Sequence, residues 1–159
     1  MVLTHARALL TTTAGATSYL DADLRDPEKI VRAASELLDF GQPVAVLLIG
    51  ILQLIPDDDD PHAVVARLVE AVPPGSWLAI FHPASDIIPD QIGEAARRVN
   101  ARSANTTTLR SHAQITRFFD GLEMLDPGLV QVHRWRPGSA VPDDGEQIPG
   151  YAGLARKPV

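Results

Sequence analysis

Apolar residues recur along this chain in two alternating rhythms. Val2, Leu3, Ala6, Leu9, Leu10 and Thr13 fall on one face at the 3.6-residue period of a helix packed on a sheet, and Gly15 stops it. Ser18 to Ala22 reads as a short strand. Asp26 then supplies an N-cap, with Pro27 at the first helical position and Glu28 in the first turn, ahead of a stripe of Ile30, Val31, Ala34, Leu37 and Leu38. After Gly41, Pro43 opens an unbroken apolar run, Val44 to Ile49. A strand covered on both faces reads this way, and such strands belong to parallel sheets.

The cycle repeats. Asp60 caps and Pro61 starts a helix whose core face is Val64, Val65, Leu68, Val69 and Val72; Pro73-Pro74-Gly75 ends it, and Trp77 to Phe81 is the next buried strand. A helix over Pro89 to Ala101 carries Ile92, Ala95, Ala96 and Val99 inward. Ser111 with Gln114 forms a capping box ahead of Ile115, Phe118 and Phe119. Leu129 to Arg136 and Tyr151 to Arg156 read as two strands whose Pro/Gly/Asp-rich connection is too short for a crossover helix, so they pair antiparallel. The pattern predicts an α/β fold with strands near residues 17–22, 43–49, 76–82, 129–136 and 151–156.

Size and charge narrow this picture. A chain of 159 residues is one domain on size grounds, 1–159, and its 45% hydrophobic and 21% charged content is that of a globular protein. A net charge of −6 argues against a general nucleic-acid or anionic-membrane binder, which needs a basic surface. The run Val44 to Leu52 is too short for a bilayer span, and no basic-then-apolar leader opens the sequence. With no Cys there are no disulfides or thiolate metal sites, which fits a cytoplasmic home.

Common catalytic signatures are missing: the sequence has no G-x-x-x-x-G-K-[ST], no G-x-G-x-x-G and no G-x-S-x-G. Asp57 to Asp60 with His62 invites a metal reading. Four consecutive carboxylates cannot converge on one ion, however, and a helix cap at Asp60 explains the run better, so no metal site is expected. His82 either lines a cleft at a strand C-terminus or merely ends the strand. His133-Arg134-Trp135-Arg136 is better read as the alternating faces of an edge strand than as an RNA-binding cluster. Two segments stand above this background. Asp21-Ala22-Asp23 lies where a strand gives way to a helix, the place where such folds put ligand contacts, although capping a turn would explain it equally well. Ile49-Gly50-Ile51-Leu52-Gln53 follows the most apolar strand; Gly50 permits close approach to the backbone, and Gln53 is an amide that needs partners, structural ones by default.

Together Tyr19 to Pro27, Val44 to Asp60 with its IPDDDDP exit, Leu109-Arg110-Ser111, Phe118 to Glu123, Pro127-Gly128, His133 to Pro137 and Tyr151-Ala152-Gly153 resemble the bacterial S-adenosylmethionine-dependent methyltransferases of class I, Rossmann-like fold. The resemblance implies S-adenosylmethionine as cofactor. It places Asp23 against the adenine amino group with the Leu24 backbone beside it, and Ile49 and Gly50 against the methionine part. Gln53 stands where the family commonly carries a histidine, and glutamine cannot take a proton near neutral pH. No catalytic residue is identified.

By the same resemblance the family's first two strands and its Gly-rich loop precede residue 1, so the chain reads as the C-terminal portion of the fold. The sheet is then incomplete, with a gap beside Val44–Ile49, and ends in an antiparallel hairpin. The expectation is a family member, truncated and inactive alone, acting on an unidentified small-molecule acceptor, with no nucleic-acid or membrane partner. A homo-oligomer or a missing N-terminal partner would cover the open strand edge. The rival reading is a non-catalytic interaction module that pairs through that edge.

Overall fold

The computed structural model describes residues 17–103, 106–137 and 147–159. The helix expected over Val2 to Thr13 lies outside the described residues. Within them the order is α1 (Pro27–Ser35), β1 (Ala45–Ile49), α2 (Pro61–Ala71), β2 (Trp77–Pro83), α3 (Pro89–Asn100), α4 (His112–Thr116), β3 (Glu123–Met124), β4 (Val130–Gln131) and β5 (Gly150–Arg156). Short 3-10 turns occupy Leu52–Leu54, Asp57–Asp59, Arg117–Phe119 and Val132–Arg134.

Local signals start the helices. The Asp26 carboxylate accepts from Lys29 N at 3.1 Å, with Pro27 at the first helical position. Asp60 accepts from Ala63 N at 3.1 Å ahead of Pro61, and Ser111 and Gln114 form both halves of a capping box. These contacts satisfy amides that have no partner inside a helix. At the other end of α2, Lys157 Nζ donates to the carbonyls of Val69, Glu70 and Val72 at 3.0, 3.2 and 2.8 Å, placing a cation at the negative helix terminus.

The sheet is mixed. β1 runs parallel to β2, with Ala45 opposite Trp77 and Ile49 opposite Phe81. β5 lies antiparallel on the other side of β2, from Trp77 opposite Arg156 to Pro83 opposite Gly150. β3 and β4 pair antiparallel with successive stretches of β5. Leu78, Ile80 and His82 alternate into the core, where they meet Val64, Val65 and Leu68 of α2 together with Leu48, Leu52, Ile55, Ile115, Phe118 and Phe119.

Five expectations are corrected. Residues 17–22 form no strand: β1 pairs only with β2 among the described strands, so this segment has no ladder to join. β1 is not covered on both faces, since Leu47 and Ile49 are 66% and 59% exposed; the described core lies on the other face of the sheet. The strand expected over 129–136 is only Val130–Gln131. Continuing its register would set His133 against Pro149, which has no N–H to give, and the chain instead turns at Val132–Arg134. In α3 no residue is buried and Val99 is 53% exposed, because no described element covers that side. Leu37 and Leu38 are exposed in the same way, beyond the end of α1 at Ser35.

Candidate active site

Ligands of open α/β sheets gather at the C-terminal ends of parallel strands. Here β1 ends at Gly50, whose φ of +65° is one that glycine alone adopts without cost. Its N–H donates to Phe81 O at 3.0 Å, fixing the exits of β1 and β2 side by side. The chain then turns through Ile51 to Ile55, and these residues face the segment Asp21 to Arg25 across a cavity of about 400 Å³. Asp21, Ala22, Asp23, Leu24, Arg25, Ile51, Leu54 and Ile55 line it.

The polar wall is built around Asp23. Its Oδ1 accepts from Arg25 N and Nε, both at 3.0 Å, and its Oδ2 accepts from Arg25 Nη2 at 2.7 Å. These bonds hold the carboxyl down at about 2, well below the ordinary carboxylate range, so it is ionised throughout the neutral range. Arg25 also reaches Asp59 Oδ2 at 3.3 Å, tying this wall to the acidic loop. The opposite wall is the apolar one of Ile51, Leu54 and Ile55.

Asp23 and Leu24 thus share a cavity. Ile49, Gly50 and Gln53 do not line it; they sit at the end of β1 beside it. The Gln53 amide turns back, Nε2 donating to Gly50 O at 2.6 Å, and Gln53 O accepts from Thr108 N at 2.7 Å. Among the described residues its buried Oε1 has no partner.

His82 lines no part of this cavity. It is fully buried, with Nδ1 2.8 Å from Pro83 O and Nε2 2.9 Å from Arg110 Nη1. Burial foremost, and the Arg110 charge as well, push its pKa down to about 4, so the ring is neutral.

Arg110, named within the Leu109-Arg110-Ser111 segment, was given no role by sequence reasoning. Only 1% exposed, it donates Nε and Nη2 to Asp57 Oδ1 at 3.0 and 2.7 Å, Nη1 to Leu52 O at 3.0 Å, and Nη2 to Ile55 O at 2.8 Å. The one available signal was an arginine directly before the capping Ser111. The acidic run divides its work: Asp60 caps α2, Asp59 meets Arg25 and Asp57 meets Arg110.

A second cavity, of about 620 Å³, lies between α2 and the Arg117–Phe119 turn, away from the strand ends. His62 stacks on Phe118 there with ring centroids 4.3 Å apart, and burial lowers the His62 pKa.

This architecture is that of class I methyltransferases, Rossmann-like α/β proteins. The family model described as S-adenosyl methyltransferase matches residues 1–158, and the chain belongs to that family, whose cofactor is S-adenosylmethionine. Among solved structures, a DUF574 family protein from Streptomyces avermitilis MA-4680 is 40% identical with a TM-score of 0.90, the match covering 99% of this chain and 62% of that one. A candidate methyltransferase from Thermobifida fusca YX is 33% identical with a TM-score of 0.86, over 99% of this chain and 60% of its own. This chain therefore spans about three-fifths of the length of either relative. An O-methyltransferase family protein from Burkholderia thailandensis, at 13% identity and a TM-score of 0.58 over 89% of this chain and 36% of its own, shares the fold. No curated protein matches the chain.

Proposed function

We propose that this chain supplies the adenine side of an S-adenosylmethionine site in a methyltransferase. The observation that carries the reading is the ionised Asp23 carboxylate on one wall of a cavity whose other wall is apolar. The residues present fit the group. Asp23 can accept from an exocyclic amine, Ile51, Leu54 and Ile55 offer apolar surface to a planar base, and about 400 Å³ falls in the range of small-molecule pockets, roughly 300 to 1,000 Å³.

When bound, the cofactor supplies an electrophilic methyl group. The contribution of this chain is to bind and orient, because transfer to an acceptor rests chiefly on alignment. A small-molecule acceptor fits the net charge of −6 better than a nucleic acid does. Among the described residues no helix is long and apolar enough to cross a membrane.

Titration calorimetry with S-adenosylmethionine tests the reading. Asp23→Ala should weaken binding about ten- to hundred-fold, the worth of one hydrogen bond to a charged group. Unchanged affinity in that variant would remove Asp23 from the site.

A further inference from the structure

We infer that Arg110 is a positioning residue for the cofactor cavity: from within the core its guanidinium fixes the loop that forms the cavity's apolar wall. The inference rests on the adenine-side reading above and extends it to a residue that touches no part of the cavity.

The wall consists of Ile51, Leu54 and Ile55, carried on a single 3-10 turn, Leu52–Leu54, and the residues flanking it. Two backbone bonds close that turn from within, Leu54 N to Ile51 O at 3.0 Å and Ile55 N to Leu52 O at 3.1 Å, and Thr108 N donates to Gln53 O at 2.7 Å from outside it. Arg110 adds a second donor to Leu52 O and supplies a donor to Ile55 O. Nη1 takes Leu52 O, Nη2 takes Ile55 O, and Nε with Nη2 takes Asp57 Oδ1, so one rigid fork spans the turn from its first residues to its exit.

The fork is anchored in its turn. Arg110 bridges to Ala84 in parallel register, its carbonyl accepts from Ser85 N at 2.9 Å, and its Nη1 meets His82 Nε2. All three are at the end of β2, the rigid centre of the sheet. The wall is thus referenced to β2 through one side chain, while Arg25 references the opposite wall to the same acidic loop through Asp59. A lysine has the charge but not the planar, multi-donor geometry, so it could satisfy only part of this set. Loss of the fork would strip the buried Ile55 carbonyl of its Arg110 donor, leave Leu52 O with Ile55 N alone, and let the turn relax away from Asp23.

The test compares Arg110→Lys and Asp57→Asn with the unaltered protein by two readouts: calorimetric titration with S-adenosylmethionine, and amide hydrogen exchange. Asp57 is 61% exposed, so its substitution leaves the core intact and carries the test if Arg110→Lys does not fold. Arg110→Lys should weaken binding by on the order of tenfold or more, and Asp57→Asn less but in the same direction. Exchange at Leu54 and Ile55 should accelerate while the amides of Leu78 and Ile80 in β2 keep their protection.

Binding as tight in both variants as in the unaltered protein overturns the inference and leaves the cofactor reading standing. Equal acceleration at the turn and in β2 also overturns it, because Arg110 would then be supporting the fold at large. If the unaltered protein binds no S-adenosylmethionine, the cofactor reading fails and the positioning role fails with it.

Discussion

Arg110 Nη1 lies 2.9 Å from His82 Nε2, a contact that forms only while the imidazole nitrogen holds a lone pair. A guanidinium has no acceptor, so His82 must carry its proton on Nδ1, toward Pro83 O. Burial, and secondarily the Arg110 charge, lowers its pKa from 6.5 to about 4.

A depressed histidine pKa makes the unfolded chain bind the proton more readily than the folded one. Stability should therefore fall as pH drops from about 6.5 toward 4 and level off below, by up to roughly 3 kcal/mol from this residue alone. Urea unfolding across that range should show a decline that His82→Asn substantially removes. An unchanged slope in the variant would assign the acid sensitivity elsewhere.

Asp60 combines a cap with a left-handed backbone, at φ 44° and ψ 66°. Asp60→Ala should cost about 1 to 2 kcal/mol through the lost bond to Ala63 N, whereas Asp60→Asn, which tolerates this conformation and still caps, should be nearly neutral. Denaturant midpoints of the two variants check this. Equal losses would show that the charge of Asp60, and not its cap geometry, is what matters.

At Gly50 a Cβ would meet nothing closer than Phe81 Cδ1 at 3.8 Å, so Gly50→Ala isolates the backbone penalty of φ +65°. A loss of about 1 to 2 kcal/mol is expected from conformation alone. Thermal unfolding measures it, and a stable variant would mean that the turn can reach another φ.

Leu47 and Ile49, 66% and 59% exposed, project from an edge strand on the open face of the sheet. Edges and apolar patches of this kind associate. The chain should self-associate in light scattering, and Leu47→Lys with Ile49→Lys should suppress this while altering stability by no more than about 1 kcal/mol, since neither side chain is in the core. A monodisperse unaltered monomer at high concentration would contradict this expectation.

These examples mark what was legible in the sequence. Caps are local, so Asp26, Asp60 and the Ser111–Gln114 box could be read from three or four neighbouring residues. β2 and β5 were legible because their apolar content matches their burial. Pairing is not local: residues 17–22 have strand-like composition but no neighbour to pair with, and the end of β4 depends on Pro149, far along the chain. The site divides in the same way. Asp23 stood out in the polar segment ahead of α1 and Leu24 came from the family resemblance; both line the cavity. Gln53 could be singled out, but not the return of its amide to Gly50 O. The role of Arg110 was invisible because its acceptors lie 53 to 58 residues earlier in the chain.

The position of β5 also bears on how the molecule assembles. It is the last described strand, yet it lies between β2 and the short strands β3 and β4, and Lys157 just beyond it completes the end of α2. Synthesis delivers this central strand after everything it joins. Until residues 150–156 have left the ribosome, β2 can be paired only by β1, and β3 and β4 have no ladder at all. Contacts this distant in sequence are slow to close, and the waiting edge of β2 is the surface a nascent chain most needs shielded. The fold is closed at its middle by a strand made after every other described strand, so the edge of β2 stays open until residues 150–156 emerge.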